Sequence, residues 1–259
     1  MSGTHILAIA NRKGGVGKTT VAFNIARGLA LRGKKVLMID CDEQGSLTLC
    51  ALGDVTGLTS MAEQLFRPDL GEIRVQRVDK KLKLWIFGTI PNNDSLTLAS
   101  LMPDGPNTFK RNVQGIAATG RYDFIIIDTN PFISEATRAV LASVTELLIP
   151  LESVKMVLSG AHALVMELAR LRKENRSKAR WLGFMINRFM QTTDQRDCLN
   201  WLRNKLKDNE LFDAKLSQLA AFQGATTRGL SVIEYEPAGE AAHQMTVFLN
   251  ELLRRINPK

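Results

Sequence analysis

A chain of 259 residues that is 45% hydrophobic and 23% charged can bury one large α/β core, which excludes intrinsic disorder. Lys and Arg outnumber Asp and Glu by 34 to 26, a formal net charge of +8 that favours polyanionic partners. Cys41, Cys50 and Cys198 are too few and too scattered for a disulfide framework or a paired zinc-ligand pattern, so a reducing cytoplasm is expected.

The chain opens Met1-Ser-Gly-Thr-His5 and runs straight into an apolar segment without a basic leader, so no signal peptide is expected. No apolar run approaches the roughly 18 residues that cross a bilayer. Short apolar runs at 5–10, 35–39, 83–87, 123–127, 145–149 and 181–186 read as strands. Between them lie segments of helical period. Residues 20–32 place Val21, Ile25, Leu29 and Ala30 on one face, and residues 152–174 do the same with Val154, Leu158, Leu164, Leu168 and Leu171. Gly71 and Pro103-Asp-Gly-Pro106 read as loops. Strand alternating with helix predicts a mostly parallel twisted sheet with helices on both faces, and no linker divides it, so one α/β domain is expected over 1–259. With the first strand near residue 5, no N-terminal helix-turn-helix domain is expected, and no sequence-specific operator binding.

Residues 11–20 read Asn-Arg-Lys-Gly-Gly-Val-Gly-Lys-Thr-Thr, between the first strand and the first helix, which is the setting of a phosphate loop and makes the domain a P-loop NTPase. Gly14, Gly15 and Gly17 let the backbone curl until its N–H groups converge on phosphate oxygens, at the positive end of a helix dipole. Lys18 supplies a point charge to the β- and γ-phosphates, and the Thr19 hydroxyl is placed to ligate Mg²⁺. The expected cofactor contacts are thus Gly14, Gly15, Val16, Gly17, Lys18, Thr19 and Thr20, with ATP and Mg²⁺ as the cofactors.

Two acidic strand ends accompany the loop. Lys35-Val-Leu-Met-Ile39 runs into Asp40-Cys41-Asp42-Glu43-Gln44-Gly45, where carboxylates at the carboxyl edge of the sheet can face a bound nucleotide. Taken singly, either aspartate would equally serve a turn or a cap. Tyr122-Asp-Phe-Ile-Ile-Ile-Asp128 is an apolar strand that emerges into Asp128, the second expected metal-holding residue beside Thr19.

The run from Lys13 to Thr20, with these acidic strand ends, resembles the deviant Walker A ATPases that include the ParA, Soj and MinD proteins. The likeness continues through Ile90-Pro91-Asn92, Ile149-Pro150-Leu151, Gly183-Phe-Met-Ile-Asn187 and the segment from Gly229 to Pro237, and so covers essentially the whole chain. It implies that Lys13 reaches across a dimer to the partner's nucleotide, that Asp42 orients the attacking water and that Asp40 supports the metal region. Lys13, Lys18 and Asp42 are then the catalytic set. The resemblance also implies a base contact from Asn187, although a strand-end asparagine satisfying backbone groups is the open alternative. Four positions depart from the pattern. Arg12 stands at the first glycine of the general loop, Glu43 and Asn130 stand where prolines are usual, and Lys215-Leu-Ser-Gln218 replaces an Ile-Pro-Arg-like turn.

The implied activity is that of a ParA-like partition ATPase, cytoplasmic and nucleoid-associated, working in plasmid or chromosome segregation. It would be a homodimer with ATP at the interface, bind DNA without sequence preference, and hydrolyse ATP under a ParB-like activator protein. The alternative is a ParA-like ATPase that positions a protein cargo, such as a chemoreceptor cluster or microcompartment, on the nucleoid. A MinD-like membrane cycle is disfavoured because the terminal helix is not followed by a basic amphipathic extension, and a reductase because cluster cysteines are missing. A metabolite-coupled ATPase leaves no signature here. Candidate DNA contacts are Arg203, Lys205, Lys207 and Arg228, with Arg170, Arg172, Lys173, Arg176, Lys178 and Arg180 as a second basic cluster. Solvated helix ends would account for either.

Overall fold

Apolar runs too short for helices and bounded by charge form strands that are buried on both sides, and the chain alternates them with amphipathic helices. The computed structural model describes residues 3–70, 75–152 and 157–258, the side chains of 157–159 apart, so the loop reading at Gly71 and the helical position of Val154 lie outside it. In chain order the elements are β1 (His5–Ile9), α1 (Lys18–Leu31), β2 (Val36–Cys41), α2 (Ser46–Leu52), β3 (Gln76–Arg77), β4 (Leu84–Phe87), α3 (Ser95–Ser100), α4 (Gly105–Ala118) and β5 (Phe124–Thr129). Then follow α5 (Glu135–Ser143), β6 (Glu146–Leu151), α6 (Val157–Lys173), β7 (Arg180–Phe189), α7 (Thr193–Lys205), β8 (Leu211–Ser217), α8 (Ala220–Thr227), α9 (Val232–Tyr235) and α10 (Glu240–Ile256).

Among the described residues the strands form one eight-stranded sheet in the order β3-β4-β2-β5-β1-β6-β7-β8, parallel except for β3 against β4. Because side chains alternate along a strand, each central strand feeds two cores. Ile6, Ala8, Leu37, Ile39, Ile125, Ile127, Leu147 and Ile149 pack under α3 to α7. Leu7, Ile9, Val36, Met38, Ile126 and Leu148 pack under α1, α2 and α8 to α10. Burying each of the larger side chains contributes about 2 kcal/mol, and burial on both faces explains why these strands read as unbroken apolar runs.

Three elements differ from the sequence reading, the first being the two-residue edge strand β3, too short and polar to show as an apolar run. Gly105 and Pro106 were expected in a loop, but they open α4, where Pro sits in the first turn and its missing N–H has no partner to lose. The strand β8 was not anticipated because Asp213 and Lys215 interrupt its apolar residues. It is the edge strand beyond β7, and α10 covers its inner face.

Arg27, on α1, is buried and reaches two elements far away in sequence. Its guanidinium donates to both carboxylate oxygens of Glu234 at 2.6 and 2.7 Å and to Asp79 at 3.0 Å. This clamps the helix that carries the glycine loop to α9 and to the β3–β4 turn. Removing one partner of a buried pair strands the others, so Arg27→Ala is expected to destabilise the fold by about 3 kcal/mol. A lower urea midpoint at unchanged m-value would record it, and an unchanged midpoint would contradict it.

Candidate nucleotide site

In a parallel sheet the residues just past the carboxyl ends of the strands gather along one edge, and here that edge holds a cleft of about 1040 Å³. Its floor is the glycine loop. Gly15 and Gly17 take φ of 77° and 83°, the left-handed region that glycine enters without strain. A Cβ on Gly17 would collide with the Asn187 amide nitrogen, so a side chain there would displace Asn187 as well as strain the backbone. Gly14, Gly15, Gly17, Lys18, Thr19, Thr20, Asp42 and Asn187 all line the cleft, whereas Val16 is buried behind it.

Lys18 opens α1 and is 7% exposed, and burial lowers the pKa of its ammonium against the pull of Asp128 and Asp42. A desolvated cation at a helix N-terminus is a strong anion receptor. The Thr19 hydroxyl donates to an Asp128 carboxylate oxygen at 2.6 Å, which joins the first helix to the end of β5. Asp128 and Asp40 face each other in register on adjacent strands, both fully buried. Burial, and then the charge of Asp40, push the Asp128 carboxyl up to about 8. Burial pushes Asp40 up to about 6, restrained by its bonds from Thr48.

Asp40, like Asp128, stands behind the cleft lining rather than in it. Its carboxylate accepts from the Thr48 N–H at 2.8 Å, the Thr48 hydroxyl at 2.7 Å and the Asp42 N–H at 3.2 Å. It thereby anchors the start of α2 and the turn that presents Asp42. Asn187 likewise has a local task, its amide donating to the Val16 carbonyl at 2.8 Å and bracing the loop from β7. Asn130, standing where the resembled family usually has a proline, accepts from the Thr137 hydroxyl at 3.0 Å and so ties the segment after Asp128 to α5.

Lys13 stands apart from this group. It is not among the cleft-lining residues, and its ammonium, 45% exposed, pairs with Glu152 at 2.5 Å on the rim. The sequence reading missed Glu152 and Arg188, and it missed the cleft wall formed by Ser217, Gln218, Leu219, Phe222 and Gln223. The one available signal was position: Glu152 and Gln218 follow a strand, and Arg188 and Ser217 stand at the carboxyl end of one. The DNA candidates do not converge. Arg203 and Lys205 end α7 and Lys207 lies past it, on a hollow shared with Asp208, Leu211 and Asp213 at the opposite edge. Arg228, by contrast, follows the cleft wall and lies over the Tyr235 ring. In the second cluster Arg170, Arg176 and Arg180 are paired with Glu167, Glu174 and Glu146, whereas Arg203, Lys205 and Lys207 have no acidic ion-pair partner among the described residues.

The raised carboxyls set a pH dependence. The folded chain holds the Asp128 proton up to about pH 8, whereas unfolded it ionises near 3.8. Between these values the folded state binds more protons, so stability falls as pH rises, and Asp40 adds the same sign up to about pH 6. The ligand-free protein is expected to melt at a higher temperature at pH 5.5 than at pH 8.5. A melting temperature that is flat or rising across that window would refute the assignment.

Comparison with known proteins agrees with this geometry. A family described as AAA domain matches residues 4–180. The chromosome partitioning protein ParA of Caulobacter vibrioides is 28% identical over 244 residues, covering 90% of this chain and 87% of the relative. The chromosome-partitioning ATPase Soj of Thermus thermophilus is 27% identical over 254 residues, covering 96% of each chain. An ATP complex of McdA from Cyanothece superposes with a TM-score of 0.82 at 22% identity, covering 97% of both chains, a likeness of fold. No helix among the described residues is long and apolar enough to cross a membrane. With its phosphate loop between β1 and α1 and an aspartate ending β5, the chain belongs to this AAA domain family, among the ParA/MinD-type P-loop ATPases.

Proposed function

We propose that this protein is a ParA-like partition ATPase that binds Mg·ATP, closes into a dimer, and in that state binds DNA without sequence preference. Lys18 and the backbone of residues 14–20 would hold the phosphates. Thr19 and Asp128, two hard oxygen donors in contact at the base of the loop, fit a magnesium ion. Bound there, the ion would neutralise charge on the β- and γ-phosphates. Asp42, on the cleft wall, is the candidate to orient the attacking water, and Asn187 to border the base while it braces the loop.

The observation that carries the dimer reading is the separation of the two lysines. Lys18 faces its own cleft, whereas Lys13, five residues earlier, sits exposed on the rim outside it. A conformation that leaves a loop lysine off its own site suits one that acts on a facing copy. Names given to the relatives, chromosome partitioning in both bacteria, support segregation as the task. The net charge of +8, and Arg203, Lys205 and Lys207 without acidic ion-pair partners among the described residues, support a polyanionic track. On this reading the protein works in the cytoplasm on the nucleoid, and a ParB-like partner stimulates its hydrolysis.

The test is fluorescence anisotropy on unrelated DNA duplexes with ATP, ADP or no nucleotide, across a salt series. Binding that needs ATP, ignores sequence and weakens linearly in log salt is expected. Intact ATP binding with no DNA affinity in any state would sink the segregation reading.

A further inference from the structure

Three residues that meet at the cleft rim come from three adjacent strand ends: Lys13 after β1, Glu152 after β6 and Arg188 at the carboxyl end of β7. The Glu152 carboxylate is 20% exposed and bridges two cations, Lys13 at 2.5 Å and Arg188 at 3.5 Å. Arg188 also donates to the Gly15 carbonyl at 2.5 Å. It adopts φ 54°, a left-handed backbone that is strained for a residue with a side chain and is kept only where surrounding contacts enforce it. The backbone beneath is fixed as well. Asn11 accepts from the Lys13 N–H at 3.0 Å and donates to the Pro150 carbonyl at 2.6 Å, which fastens the loop to the end of β6. With both stems pinned, the Lys13 side chain is the part left to turn.

We infer that Glu152 and Arg188 are positioning residues for Lys13. Glu152 holds the Lys13 ammonium within its own subunit until the phosphates of a second copy compete for it, and Arg188 remains as the counter-ion of Glu152 once Lys13 has left. This rests on the dimer reading above. The pair therefore opposes dimer closure, and two such pairs break for every dimer formed. An exposed ion pair is worth a few-fold in an equilibrium, so removing both is worth about tenfold, the product of roughly threefold at each. Arg188 acts in the opposite sense, because a Glu152 freed from it holds Lys13 alone.

The experiment is sedimentation velocity with a non-hydrolysable ATP analogue on wild type, Glu152→Gln, Arg188→Gln, Lys13→Gln and the double variant Lys13→Gln with Glu152→Gln. Nucleotide affinity is followed in parallel by fluorescence titration. Expected are about tenfold tighter dimerisation in Glu152→Gln, weaker dimerisation in Arg188→Gln, and no dimer restored when Glu152→Gln is added to Lys13→Gln. Glu152→Asp, one methylene shorter, should give a smaller gain of the same sign and serves if the glutamine variant misfolds. Unchanged or weaker dimerisation in both Glu152 variants overturns the inference while leaving the dimer reading intact, as does a dimer restored in the Lys13→Gln background. A wild type that stays monomeric with every nucleotide overturns both.

Discussion

Lys18→Ala is expected to lower ATP affinity at least a hundredfold and to abolish measurable hydrolysis. The ammonium is almost fully desolvated at the start of α1 and lines the cleft. A preorganised cation in such a site contributes about 3 kcal/mol or more to holding developing or fixed negative charge. The fold should tolerate the change, because no hydrogen bond or ion pair of the Lys18 side chain joins it to another element among the described residues. Titration with a fluorescent ATP analogue, beside a thermal melt, separates the two effects. Affinity within threefold of wild type would mean that the cleft takes its ligand elsewhere.

Lys13→Gln is expected to give the complementary phenotype. Nucleotide affinity of the monomer should stay within a few-fold of wild type, because Lys13 does not line its own cleft. Dimerisation with ATP, DNA binding and hydrolysis should all be lost. A cation supplied in trans to a transferring phosphoryl group is worth on the order of 10³-fold or more in turnover. Sedimentation and anisotropy on the same preparation read the first two, and phosphate release reads the third. A variant that still dimerises and hydrolyses at the wild-type rate would assign Lys13 to the surface and remove the main support for catalysis across an interface.

Much of this organisation is legible in the order of the amino acids. The glycine loop announces itself because its residue types are constrained: at Gly17 the backbone angle favours glycine and a Cβ would push Asn187 aside. The six strands that were read are those buried on both faces, where composition alone is diagnostic. The edge strand β8 escaped because water wets one of its faces and admits Asp213 and Lys215. At α4, Pro106 looks like a loop residue and is in fact a helix opener. Pairings across the sheet were the least visible. Nothing in the sequence links Lys13 to Glu152, 139 positions later, or Arg188 to Gly15. They meet because the strand order places β1, β6 and β7 side by side. The task of Asp40 was hidden for a similar reason. Its partner Thr48 lies eight residues on, but a helix must form before the hydroxyl and the N–H turn back to the carboxylate.

The facing carboxylates of Asp40 and Asp128 bear on how long a molecule survives in the cell. Two acids in register on neighbouring strands, shut away from water, leave an empty copy with a buried acidic pair that a bound cation would complete. On the proposed reading a ligand at a hundred times its dissociation constant adds about 2.7 kcal/mol of stability. That is enough to change the fraction of time spent open to proteases by about a hundredfold. Copies that have lost their nucleotide would then be the ones degraded, and the abundance of the protein would track the supply of ATP as well as the rate of its own synthesis.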